Sequence, residues 1–137
     1  MLRNVWTVLC RDIITDQETN AVSYVRCIEE GSASSLPVSI GPVFLGTLWE
    51  KQDQEQIRVG FRIILLTPGQ ERQTVLQTKP LVLDRLRHRL NFRVNSLHLQ
   101  EFGTYHLSLE CLAGRKWVEA ARLPVLIRQI DRPAAQE

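Results

Sequence analysis

In Ile57-Arg58-Val59-Gly60-Phe61-Arg62-Ile63-Ile64-Leu65 every odd position is apolar, while Arg58 and Arg62 fall on the even positions. Alternation of this kind is the period of a β-strand with one face buried, because successive side chains point to opposite sides of a pleated backbone. The same period recurs along the chain. In 85–95, Leu86, Leu90, Phe92 and Val94 alternate with Arg85, Arg87, Arg89, Asn91, Arg93 and Asn95. In 103–111, Tyr105, Leu107, Leu109 and Cys111 share one side. No sustained stripe at helical spacing competes with these runs.

Strands are therefore expected at 5–10, 21–28, 43–50, 57–65, 73–78, 86–95, 103–111 and 117–130, with polar connections such as Asp16-Gln17-Glu18-Thr19-Asn20 between them. Thr67-Pro68-Gly69-Gln70 places Pro and Gly in the order of a type II turn, so 73–78 should return as a hairpin partner. Pro124 marks the last strand as an edge or a bulge there. Turn signals at this spacing specify an all-β, immunoglobulin-like antiparallel sandwich of roughly seven or eight strands, as one domain over 1–131 with a frayed tail at 132–137. At 137 residues, with 44% hydrophobic and 23% charged, the chain has the material for one packed core.

Two stretches also resemble a family of short uncharacterised bacterial proteins: Leu9-Cys10-Arg11-Asp12 followed by Asp16-Gln17-Glu18-Thr19-Asn20, and Phe102-Gly103-Thr104-Tyr105-His106-Leu107. The resemblance runs from about Trp6 to Ile130. It implies a β-sandwich whose Gly-x-Tyr element opens the penultimate strand, as a tyrosine corner does in immunoglobulin-like folds. It implies no activity, substrate or catalytic residue.

Cys10, Cys27 and Cys111 are an odd set without a closely spaced pair, which reads as three buried, reduced thiols. The N-terminal apolar stretch is too short for a signal-peptide core or a membrane span, so a cytoplasmic protein is expected. His88, His98 and His106 lack convergent partners. By alternation His106 faces solvent and His98 lies in the loop before Gly103. His88 shares the inward side with Leu86 and Leu90, its proton held by a backbone carbonyl. Asp12, Asp16 and Glu18 do not match a calcium-loop spacing and suit turn hydrogen bonds instead. Gly41-Pro42-Val43-Phe44-Leu45-Gly46 is too bulky to cradle a phosphate. No cofactor, metal or catalytic set is expected.

Charge is unevenly distributed. Residues 1–57 carry four basic and eight acidic side chains, net −4, while 58–93 carry eight basic and two acidic, net +6. Within the second segment Arg85, Arg87, Arg89 and Arg93 should project from one face of one strand. Glu29, Glu30, Glu50, Asp53 and Glu55 are the expected counterparts, within a subunit or across a dimer. Self-association, as a homodimer, is expected from Trp6, Trp49, Ile64 and Leu66, which sit on doubly apolar strands or point away from the assigned core. The leading expectation is a non-catalytic protein-interaction module. The alternative is nucleic-acid or polyanion binding through the arginine strand, opposed by a pI of 8.6 and by a lack of stacking aromatics on that face.

Overall fold

A computed structural model describes residues 2–130, and the tail expected at 132–137 lies outside them. Among the described residues all regular structure is β, in twelve strands. These are β1 (Leu2–Thr15), β2 (Val22–Cys27), β3 (Glu30–Ala33), β4 (Val38–Ile40), β5 (Val43–Lys51), β6 (Ile57–Leu66), β7 (Arg72–Gln77), β8 (Leu81–Leu83), β9 (Arg87–Val94), β10 (Leu97–Leu99), β11 (Gly103–Leu112) and β12 (Trp117–Gln129). All eight strands expected from the sequence are present. The count of seven or eight is corrected to twelve because β3, β4, β8 and β10 are only three or four residues long. Segments that short contain too few positions to display a period.

Sheet A has the order β2-β1-β5-β9 and sheet B the order β3-β12-β11-β6-β7, with β8 pairing β6. β4 and β10 form a separate two-stranded ribbon. Neighbours are antiparallel except β3, which runs parallel to β12. Pro124 stands on the part of β12 that β3 does not reach, where a missing N–H leaves no ladder bond unmade.

The two sheets enclose one core. Val43, Leu45 and Trp49 of β5, with Phe92 and Val94 of β9, meet Val59, Phe61, Ile63 and Leu65 of β6 and Tyr105, Leu107 and Leu109 of β11. Three rings stack through its middle: Trp49 to Phe61 at 5.1 Å between centroids and Phe61 to Phe92 at 5.4 Å. Trp49, on a strand that reads as apolar on both faces, is 1% exposed. Its indole N–H donates to Thr47 Oγ1 at 2.7 Å, and that hydroxyl donates to the Leu90 carbonyl at 2.6 Å, so the polar atoms on the core face are satisfied. Lys51 shares that face and donates from Nζ to the carbonyls of Leu83 and Glu55.

Two other expectations concern corners. Tyr105 does open β11 at a corner, where its hydroxyl donates to the Glu101 carbonyl at 2.7 Å and accepts from the Glu101 N–H at 3.1 Å. The β6–β7 turn is not type II. Positive φ falls on Gln70 (φ 71) rather than Gly69, and Gln70 N–H donates to the Thr67 carbonyl. That is the pattern of a type I turn closed by a left-handed residue, which matches hairpin twist better than type II does.

Candidate binding face

β9 is the outer strand of sheet A, and its alternation divides it cleanly. His88, Leu90, Phe92 and Val94 turn inward, while Arg87, Arg89, Asn91 and Arg93 are exposed. Two members of the expected pattern are corrected. Arg85 precedes the strand, in a bend, so the row holds three arginines rather than four. Leu86 is 45% exposed instead of entering the core, since the bend suspends alternation before the strand begins.

The register supplies the neighbours of the row on β5. Arg87 lies opposite Glu50, Arg89 opposite Leu48, Asn91 opposite Gly46 and Arg93 opposite Phe44. Glu50 is clasped by Arg3 from β1 and by Arg87 at 3.2 Å, and these guanidiniums, Arg3 first, hold its carboxyl below the usual range. Of the acidic residues expected to face the row, Glu50 alone pairs with it. Glu30 pairs with Arg128 instead. Arg89 and Arg93 have no carboxylate within ion-pair distance among the described residues.

The face also carries aromatic groups that were not assigned to it from sequence. β1 pairs with β5 through its first half and with β2 through its second, so β2 forms the return strand of an arm. Tyr24 of this arm lies on Gly46, where a Cβ would collide with the ring. Its hydroxyl donates to Asn91 Oδ1 at 2.9 Å, and Trp6 packs edge-on against it at 5.3 Å. Tyr24, Trp6 and Phe44 were not placed beside Asn91 because they converge on it from three other strands, and periodicity within one strand is silent about its neighbours.

The opposite outer face, on sheet B, carries ion pairs of its own, although Arg58 at the start of β6 is exposed without one among the described residues. Arg62 Nε donates to Glu110 at 2.6 Å, Arg72 approaches the same carboxylate at 3.4 Å, and the Arg62 guanidinium sits 4.3 Å above the Trp117 ring. Ser108 donates to Glu119 at 2.5 Å, and Arg122 chelates it at 2.8 Å. Arg122 and Ser108 hold the Glu119 carboxyl below its usual range. Ile64 and Leu66 do point to this face, yet they are 3% and 8% exposed beneath the charged layer. With Trp49 in the core and Trp6 against Tyr24, the four residues that suggested a dimer are accommodated within one chain.

The other candidates are dispersed. His98 lies within β10 rather than in a loop, its Nδ1 2.6 Å from Ser39 Oγ. His106 takes the outer side of β11, as alternation requires, and is half-buried there opposite Pro124 and Leu66. Asp12 pairs with Arg26, and Asp16 accepts the N–H groups of Glu18 and Thr19 in a turn. Cys10 is buried and Cys111 half-buried, but Cys27 is exposed, which corrects the expectation of three buried thiols. Two cavities of about 510 and 460 Å³ open near the base of the arm, and neither is lined by a histidine. Among the described residues no helix is long and apolar enough to cross a membrane.

His88 is inward, as alternation requires, but its hydrogen bond differs from the one expected. Nε2 accepts the Arg85 N–H at 3.0 Å, which fixes a neutral imidazole. Burial lowers its pKa from 6.5, against a partial counter-effect of Asp84 at 4.0 Å. A base whose pKa is depressed on folding lends stability above its unfolded value and loses it as pH falls, because the unfolded chain takes up the proton first. Thermal midpoints should therefore drop between about pH 7 and about pH 5.5, above the carboxylate range. His88→Leu should flatten that slope, and an unchanged slope in the variant refutes the assignment.

No family model matches the chain, and no curated protein matches it.

Proposed function

We propose that the chain is a non-catalytic protein-binding module on an immunoglobulin-like sandwich, and that it docks an acidic protein surface on the outer face of sheet A. The sandwich reading is supported by the run β3-β12-β11-β6-β7 with β3 parallel to β12, by the β5–β9 pair in the facing sheet, and by the Tyr105 corner. The observation that carries the binding reading is the pair Arg89 and Arg93. They are exposed and without carboxylate partners among the described residues, beside the half-buried Tyr24, Leu48 and Phe44. On sheet B, by contrast, Arg62, Arg72 and Arg122 are already matched, and Arg58 alone of the β6 arginines is exposed without a carboxylate among the described residues.

Arginines along an outer strand disfavour addition of a further strand, so the partner meets the face through side chains. The alternative, a nucleic acid, gains one argument from the aromatics on the same face. It loses force because Tyr24 and Trp6 spend their ring surfaces on Gly46 and on each other, leaving little for base stacking. A second copy of the chain is one source of the carboxylates. Asp16 and Glu18 at the arm tip and Asp53 and Glu55 between β5 and β6 carry no ion pair among the described residues. This reading keeps the cytoplasmic setting expected from sequence, and its homodimer rests on the arginine face and those carboxylates rather than on Trp6, Trp49, Ile64 and Leu66.

The test titrates a polyglutamate peptide and a single-stranded oligonucleotide of equal charge against the protein and an Arg89→Glu, Arg93→Glu variant. Salt-sensitive peptide binding should weaken at least about tenfold in the variant, with stability changed by no more than about 0.5 kcal/mol. Sedimentation velocity should show a dimer that the variant loses. Binding of the oligonucleotide without the peptide replaces this reading with the nucleic-acid one.

A further inference from the structure

Cys10 and Cys27 are direct cross-strand partners at the base of the β1–β2 arm. The Ile28 N–H donates to the Leu9 carbonyl at 2.8 Å and ties the two strands together beside that pair. Residues directly opposed in an antiparallel pair have Cα atoms about 4.5 to 5.5 Å apart. A disulfide spans Cα separations of about 4.4 to 6.8 Å, so the backbone already meets its requirement. The two thiols differ in access: Cys27 is exposed, whereas Cys10 is fully buried. They also sense one another, since Cys27 is among the groups that, behind burial, raise the Cys10 pKa.

We propose that Cys10 and Cys27 form a modification site, closed into an intramolecular disulfide by exchange with a low-molecular-weight disulfide such as oxidised glutathione. The accessible Cys27 loses its proton, and its thiolate attacks one sulfur of the reagent. The reagent's S–S bond breaks, one small thiol leaves, and a mixed disulfide remains on Cys27. Cys10, deprotonated in turn, attacks the Cys27 sulfur and expels the second small thiol. Two protein thiols are oxidised and one small disulfide is reduced to two thiols. Cys111 lies on β11 in the other sheet and takes no part.

The bond would act on the arm. Cys27 Sγ is 3.9 Å from the Tyr24 carbonyl, and Arg26 between them has a left-handed backbone (φ 57). Turning Cys27 Sγ toward Cys10 breaks that contact and pins the segment that seats Tyr24 on Gly46. The site stands on the register alone and is independent of what the sheet A face binds.

The experiment exposes a Cys111→Ser protein to oxidised glutathione, alkylates the remaining thiols and maps peptides by mass spectrometry. The expected product is two hydrogens lighter, resists alkylation at both positions and yields one cross-linked peptide. A Cys10→Ser variant should instead accumulate the mixed disulfide on Cys27. A Cys27→Ser variant, whose change lies at an exposed position, should form no intramolecular bond. Persistence of the mixed disulfide in the Cys111→Ser protein, or full alkylation of both thiols after exposure, overturns the proposal. So does a Cys10–Cys111 bond in the Cys27→Ser variant.

Discussion

Replacing Trp49 with alanine is expected to cost about 3 to 5 kcal/mol, the range for deleting a large aromatic from a core that cannot collapse around the void. Trp49 is 1% exposed and touches the Phe61 ring, which in turn meets Phe92, so the vacancy would lie between the two sheets. The change also strips Thr47 Oγ1 of its donor, although that hydroxyl keeps its bond to the Leu90 carbonyl. A single domain is stable by about 5 to 15 kcal/mol, so the variant should sit near the edge of folding. Denaturant unfolding followed by circular dichroism measures it. A loss under about 0.5 kcal/mol, typical of a surface position, would refute the burial of Trp49 between the sheets.

The second large effect belongs to Glu110, whose side chain is 10% exposed and holds both Arg62 and Arg72. Removing its charge with Glu110→Ala leaves the Arg62 guanidinium, 24% exposed, without a counter-ion and only Trp117 beneath it. Breaking one side of a largely buried pair costs about 3 to 5 kcal/mol when burial is complete. Residual exposure of Arg62 reduces the expectation to about 2 to 4 kcal/mol. The paired change Arg62→Met, Glu110→Leu should recover most of that loss, since two apolar groups leave no orphaned charge on the sheet. Equal losses in the single and paired variants would show that packing, not charge pairing, sets the cost.

The doubly apolar strands explain where sequence reasoning stopped. In β5 both faces look suitable for a core: Phe44 and Leu48 on one side, Val43, Leu45 and Trp49 on the other. The side that also carries Thr47 and Lys51 is the one buried, because the polar atoms of both find carbonyl acceptors inside. Polarity is a poor guide to facing when the tertiary structure supplies the partner. Bulges add a further shift, as between Asn4 and Trp6, where one extra residue exchanges the faces of β1.

Period-two alternation, by itself, determined that this chain folds as β-structure, located the strands at 57–65, 86–95, 103–111 and 117–130, and set Arg87, Arg89 and Arg93 on the face opposite Phe92 and Val94. Those properties are local, since a pleated strand sorts its own side chains. The tertiary structure alone decided that Glu50 meets Arg87, that Tyr24 crosses to Asn91 over Gly46, and that Cys27 stands opposite Cys10. Each of these joins residues from different strands. Strand order and register, which arise from packing both sheets around one core, bring them together, and no stretch of a single strand encodes that choice.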